Sequence, residues 1–213
     1  MNRIIIFANG DLPDINKVRA ILWDDDYIIC ADGGARHASS LDLKPALVIG
    51  DMDSADSGYI QALQADGVRI DRYPTDKNET DLELAILKAI ELDPKEIVIV
   101  AALGGRLDQT LANIALLSDV RLSVFDIRLD DGVEEIFFCR DQAEVKGRSG
   151  DIVSLIPWGG EVTGVQTENL QWQLKKETLY SEKTRGISNE MLENVARVKI
   201  STGLLLIVHT RKS

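Results

Sequence analysis

The chain has 213 residues, with 24 Lys and Arg against 35 Asp and Glu, for a formal net charge of −11. That balance argues against a nucleic-acid partner, whose phosphates need cationic neutralisation. The content of 45% hydrophobic and 28% charged residues fits a soluble globular protein of one large domain or two modest ones.

The rarer residues narrow the classes further. Only His37 and His209 are present, which excludes a His-rich metal site. Cys30 and Cys139 lie far apart and form no CxxC pair, so buried, reduced thiols and a cytoplasmic setting are expected. The apolar run in MNRIIIFANGD is too short for a signal peptide. No stretch approaches the roughly 20 apolar residues of a membrane span, so no membrane partner is expected.

From the N-terminus, short β-branched runs alternate with helical patterns. The runs are RIIIFA (3–8), YIICA (27–31), ALVIG (46–50), VRIDRY (68–73), EIVIVAAL (96–103) and RLSVFDI (121–127). Several are apolar throughout, as strands covered on both faces are. The clearest helix is 81–92, with Leu82, Ala85, Ile86 and Ala89 on one face and Thr80 and Glu83 as a capping box. A second spans 108–117, where Leu107, Leu111 and Ile114 recur at helical spacing. The alternation predicts an α/β fold with a largely parallel sheet and helices on both faces.

The pattern changes near DDGVEEI (130–136), which reads as a junction. Beyond it come short segments bounded by turn signals: GDIVSLIP, EVTGV, LQWQL, ARVKI and GLLLIVHT. In LQWQL, Leu170, Trp172 and Leu174 alternate with glutamines, which predicts a half-buried strand. This part, 131–213, is expected to be a small all-β domain, and 1–130 an α/β domain.

Acids and glycines gather where strands of the first part end. YIICA runs into Asp32-Gly33-Gly34, ALVIG into Asp51-Met52-Asp53, and EIVIVAAL into Gly104-Gly105-Arg106-Leu107-Asp108. The strand near 68–73 leads to Asp76, Lys77, Thr80 and Asp81. In an open parallel sheet, ligands bind outside the carboxyl ends of the strands. Singly, each feature also reads as a turn, a helix-start acid or a surface charge. Together, they put carboxylates from separate segments on one rim, which suits a hard cation such as Mg²⁺. Bare glycine N–H groups at 33–34 and 104–105, with Lys77 and Arg106, suit phosphate oxygens. The apparatus fits phosphoryl-type transfer, which relies on positioning and electrostatics.

ADGGARH, VIGDMDS, TDKNETDLELAI and LGGRLDQTLANI, in this order and spacing, resemble the thiamine pyrophosphokinase family, as do LQWQL and GISNE further on. The resemblance implies a Rossmann-like, mostly parallel catalytic domain, followed by a β-sandwich that binds thiamine. It implies transfer of a pyrophosphoryl group from ATP to the thiamine hydroxyl, giving thiamine diphosphate and AMP. Asp51, Asp53 and Asp81 would be the Mg²⁺ ligands and, with Lys77, the catalytic set. Asp32, Gly33, Gly34, Thr80, Gly104, Gly105, Arg106, Asp108 and Gln109 would hold ATP. Trp172 would lie near the thiamine rings, with Ser188 and Asn189 in a motif loop on the substrate side. The family works as a homodimer with sites shared between chains. Where it commonly has His after the acid of GGRxD, this chain has Gln109, so a carboxylate or the metal is expected to assist deprotonation.

Two other classes remain open from the residues. LVIGDMDSA resembles the strand-then-DxD signature of aspartyl-nucleophile phosphatases, with Asp51 as nucleophile. A non-catalytic nucleotide sensor is the other.

Overall fold

The structure, a computed structural model, describes residues 2–52 and 57–212. The chain divides into two compact units, Met1–Asp131 and Gly132–Ser213. It is a mixed α/β protein with a parallel sheet in the first unit and antiparallel sheets in the second. Among the described residues, no helix is long and apolar enough to cross a membrane.

The first unit runs β1 (Arg3–Phe7), α1 (Ile15–Ile21), β2 (Tyr27–Ala31), α2 (Ala35–Ser40), β3 (Leu47–Gly50), α3 (Ser57–Ala65), β4 (Arg69–Arg72), α4 (Asp81–Glu91), β5 (Glu96–Val100), α5 (Leu107–Leu116) and β6 (Asp126–Asp130). The strands lie in the order β6-β5-β1-β2-β3-β4, and each neighbouring pair is parallel. The apolar runs of β1, β2, β3 and β5 are buried almost throughout, as strands covered on both faces require. The chain winds one way from β1 through β4, then returns to lay β5 on the other side of β1. The strand order therefore reverses between β1 and β5, where an open sheet leaves a crevice at the strand ends.

α4 follows its sequence pattern closely. Leu82, Ala85, Ile86 and Ala89 are its buried residues, and Thr80 Oγ1 accepts the Glu83 N–H at 3.2 Å. Asp81 and Glu83 in the first turn favour the helix N-terminus.

Two expectations here need correction. RLSVFDI is not one strand: Val120–Val124 forms a 3₁₀ turn, and β6 starts only at Asp126. Asp119 caps that turn by accepting the Arg121 N–H, and Leu122 is its buried residue, while Val120 and Val124 face out. In α5, Ile114 is buried, but Leu107 and Leu111 stand exposed, so the spacing of 107, 111 and 114 does not mark a core face.

The second unit runs β7 (Glu134–Cys139), β8 (Gln142–Lys146), β9 (Ile152–Pro157), β10 (Val162–Glu168), β11 (Lys175–Leu179), β12 (Asn189–Glu190), β13 (Val195–Lys199) and β14 (Leu205–Thr210). Antiparallel pairing sets the orders β12-β9-β14-β7 and β11-β10-β13-β8. In β13, Ala196 and Val198 turn in while Arg197 and Lys199 turn out. Val153, Leu155 and Leu205 of one set join Val145, Val162 and Val198 of the other in a single apolar cluster.

LQWQL is also not a strand. β10 ends at Glu168, Asn169 takes φ 59°, and β11 begins only at Lys175. Leu170 and Leu174 are buried anchors, and Trp172 between them is 54% exposed. The alternation marks a loop pinned at both ends, and this tryptophan is not part of the core.

Candidate active site

In the first unit, a cleft of about 500 Å³ opens at the reversal point of the sheet. Four strand ends line it: Asn9, Gly10 and Asp11 after β1; Asp32 after β2; Thr75, Lys77 and Glu79 to Leu82 after β4; and Ala102 and Gly104 to Arg106 after β5, joined by Gln109 and Asn113 of α5.

Three carboxylates converge there. Asp32, Asp51 and Asp81 each offer an oxygen, and these oxygens lie within 4.8 Å of one another. Asp32 is buried in a 3₁₀ turn at φ 44°, and its Oδ1 has no hydrogen-bond partner among the described residues. Gly50 lets the third strand end approach it, since a Cβ there would sit 3.0 Å from Asp32 Cβ. Lys77 Nζ, in the loop four residues before Asp81, lies 3.0 Å from Asp81 Oδ1. Burial pushes the Asp81 carboxyl above the usual carboxylate range; Lys77 pulls it back, and Asp32 and Asp51 add to the rise. A buried, unpartnered oxygen within an all-oxygen trio fits a hard divalent cation, and the donors are wrong for a soft metal.

The remaining rim residues fall into two groups. Lys77, Thr80, Gly104, Gly105, Arg106 and Gln109 line the cleft. Gly104 and Gly105 take φ 81° and 69° beside Asp11, a turn that other side chains would strain. Asp108 instead faces solvent and pairs with Arg106, which holds its carboxyl below the ordinary range. Gly33 and Gly34 do not line the cleft: a Cβ on them would strike Asn9 Oδ1 at 2.3 Å and Phe7 O at 2.1 Å. Asp53 lies outside the described residues.

Asn9, Gly10 and Asp11 are additions that the sequence reading missed, along with Glu79 and Asn113. The strand-end rule finds the first three once it is applied to RIIIFA. α2 braces this segment: Arg36 Nη2 donates to Asn9 O at 3.3 Å, and His37 Nε2 lies 2.9 Å from Gly10 O. Burial lowers the His37 pKa, and the hydrogen bond to the Gly10 carbonyl opposes that shift.

In the second unit, Trp172, Leu174 and residues 184–189 line a separate groove of about 390 Å³. It contains all three residues expected on the substrate side: Trp172, Ser188 and Asn189.

Comparison with known proteins bears on both units. Residues 18–129 match the thiamin pyrophosphokinase catalytic domain, and residues 141–205 match the vitamin B1 binding domain of the same enzymes. The chain belongs to the thiamin pyrophosphokinase family. It is 26% identical to thiamine pyrophosphokinase from Bacillus subtilis (strain 168), over 99% of both chains. It is also 26% identical to thiamine pyrophosphokinase 1 of Arabidopsis thaliana, over 98% of this chain and 86% of that one. The fold matches the crystal structure of the Bacillus subtilis thiamine pyrophosphokinase with a TM-score of 0.89, at 23% identity and full coverage of both chains. Yeast thiamin pyrophosphokinase matches with a TM-score of 0.77 at 19% identity, over 98% of this chain and 86% of that one.

Gln109 lines the cleft. An amide does not titrate, so Gln109→Ala is expected to weaken activity without changing the shape of its pH profile. Loss of a titrating limb in the variant would show that Gln109 orients a true acid or base.

Proposed function

We propose that the protein transfers a pyrophosphoryl group from ATP to the hydroxyl of thiamine, forming thiamine diphosphate and AMP. The observation that carries this reading is the trio Asp32, Asp51 and Asp81 at the reversal-point cleft of a chain whose two units match the family's two domains. We read the first unit as Rossmann-like, supported by its parallel strand order, and the second as a β-sandwich, supported by the apolar cluster its two sets of strands share.

Mg²⁺ on these carboxylates would supply the positive charge that the ATP phosphates need in so acidic a cleft. The chain's own residues do the rest. Asp32, Asp51 and Asp81 would hold the ion, with Asp53 as the neighbouring acid in the chain. Lys77 and Arg106 face phosphate oxygens, and the N–H groups of Gly104 and Gly105 add donors. No histidine lines the cleft among the described residues, so the hydroxyl proton passes to a rim carboxylate. Thiamine lies in the groove of the second unit, where the indole face of Trp172 suits its thiazolium cation. The active form is a cytoplasmic homodimer with sites shared between chains. The exposed Leu107, Leu111, Val120 and Val124 support a surface covered by a partner, and the buried free cysteines support a reducing compartment.

Mass spectrometry after incubation with ATP, Mg²⁺ and thiamine tests this, with thiamine diphosphate and AMP expected together. ADP with thiamine monophosphate would overturn the reaction type. An acyl-phosphate trapped on Asp51 would restore the phosphohydrolase reading, and ATP binding without turnover would restore the sensor. Neither reading is supported by the comparisons, since the matches in both units are to a transferase family.

A further inference from the structure

Asn189 opens β12, pairs with Val153 of β9, and is 3% exposed. Its amide is engaged almost entirely within the chain. Oδ1 accepts the N–H of Trp172 at 3.0 Å and of Glu190 at 2.9 Å, and Nδ2 donates to Trp172 O at 2.7 Å. A side-chain amide has two acceptor sites and two N–H donors, so only one N–H is left over. Turning the group toward a ligand would strip bonds from both backbone groups of Trp172, at a buried position where such groups need partners.

The loop around Trp172 depends on that grip. Leu170 and Leu174 are sunk in the apolar cluster, and Asn169 bends the chain at φ 59°. Gln171 N donates to Glu190 O at 2.9 Å, and Leu192 N to Asn169 O at 2.9 Å. Trp172 is the crest of the arch, with its indole exposed on the groove wall. Of the side chains in the groove, Asn189 is the one that bonds the Trp172 backbone, and it does so through both groups.

We infer that Asn189 is a positioning residue for Trp172: it serves the thiamine side by fixing where the indole stands, and it does not touch the substrate. This rests on the proposed thiamine reading of the groove. The donor and acceptor of one buried amide set the height and tilt of an aromatic face carried on an irregular loop. A face aligned with a ring cation loses its advantage when it is free to move.

A double-mutant cycle on the thiamine KM decides the matter. Asn189→Ala is expected to raise that KM roughly tenfold, with little change in the ATP KM. Asn189→Asp keeps the acceptor for the two N–H groups but sets a carboxylate oxygen against Trp172 O in place of the donor, so it should act in the same direction. In a Trp172→Leu background, either change should have less than about a twofold effect, because nothing remains to position. The same fold-change in both backgrounds would mean that Asn189 contacts thiamine directly, and the inference would fall. A spectroscopic signature is read without substrate, using 5-fluorotryptophan and ¹⁹F NMR. The Trp172 resonance, assigned by its loss in Trp172→Leu, should move or broaden in both Asn189 variants, while those of Trp23 and Trp158 stay in place. An unmoved Trp172 signal with a raised KM overturns the inference; so does a moved signal with an unchanged KM. If the alanine variant disturbs all three signals, the aspartate variant carries the decision. A wild-type protein that forms no thiamine diphosphate would overturn the proposed function instead, a result the fluorine spectra do not share.

Discussion

Asp32→Asn is expected to lower thiamine diphosphate formation by about 100-fold or more, the scale of losing one electrostatic stabiliser, while leaving the metal-free protein at least as stable as before. Asparagine matches the shape of aspartate and tolerates the φ of 44° at this position. The Oδ1 it would alter has no hydrogen-bond partner among the described residues. Each pair in the trio lies within 4.8 Å, so the like charges repel one another in the metal-free protein, an effect that solvent and Lys77 screen in part. Removing one charge relieves two of the three pairs. Added Mg²⁺ should raise the melting temperature of the parent protein and raise that of the variant much less, since a ligand that binds only the folded state stabilises it. The pH dependence has a definite sign. Burial holds the folded Asp81 carboxyl above its ordinary value, so the proton it binds favours the folded state. That contribution is complete below the ordinary aspartate value and is lost as pH rises through the lifted one. Metal-free stability should therefore fall across that interval, while Mg²⁺ affinity, which competes with the proton, should rise. Thermal melts in chelator and in Mg²⁺ check both statements. A variant that is less stable without metal, yet gains as much from Mg²⁺ as its parent, would remove Asp32 from the ion's site.

α4 was legible because two independent local signals agree there: the apolar spacing of Leu82, Ala85, Ile86 and Ala89, and the cap at Thr80. The rim was legible because a parallel sheet sends all its strand ends to one side, so acids distant in sequence meet at Asp32, Asp51 and Asp81. The same rule applies to β1, whose strand end brings Asn9, Gly10 and Asp11 to the cleft. LQWQL shows the limit of period-two patterns. Leu170 and Leu174 are buried as alternation requires, but what shapes the loop is the left-handed Asn169 and the amide of Asn189, 17 residues beyond Trp172. RLSVFDI departs from a strand for a related reason: β-branched content favours extended chain only where a sheet covers it, and Val124 remains uncovered. The glycines at 33 and 34 read as phosphate donors because a sequence shows a missing side chain without showing what takes its place.

Gly34→Ala is expected to destabilise the protein by about 3 kcal/mol or more, at the upper end for overpacking, which in a chain of this size is a fall in melting temperature on the order of 6–12 °C. The backbone is not the obstacle, because Gly34 sits at φ −57° and ψ −23°, where alanine is comfortable. The obstacle is Phe7 O, 2.1 Å from the added Cβ, with Phe7 C at 2.7 Å. Phe7 is fully buried in β1 and held in register with Cys30 on one side and Val100 on the other, so its carbonyl has nowhere to move. Gly33→Ala should be milder, since its added Cβ meets Asn9 Oδ1 at 2.3 Å, on an exposed side chain that can swing aside. Gly160→Ala is the control: nothing lies within 4 Å and its φ is not positive, so its effect should stay within about 0.5 kcal/mol. This ranking also separates two roles for the Asp32-Gly33-Gly34 turn. If its glycines serve to let the turn press against β1, stability falls in the order given, and Gly34→Ala also loses the Mg²⁺ response, because the turn carries Asp32. If they serve instead to expose N–H groups to ATP phosphates, Gly33→Ala and Gly34→Ala would melt near the parent temperature and lose ATP affinity. The 2.1 Å contact selects the first outcome, and melting Gly34→Ala beside Gly160→Ala decides between them.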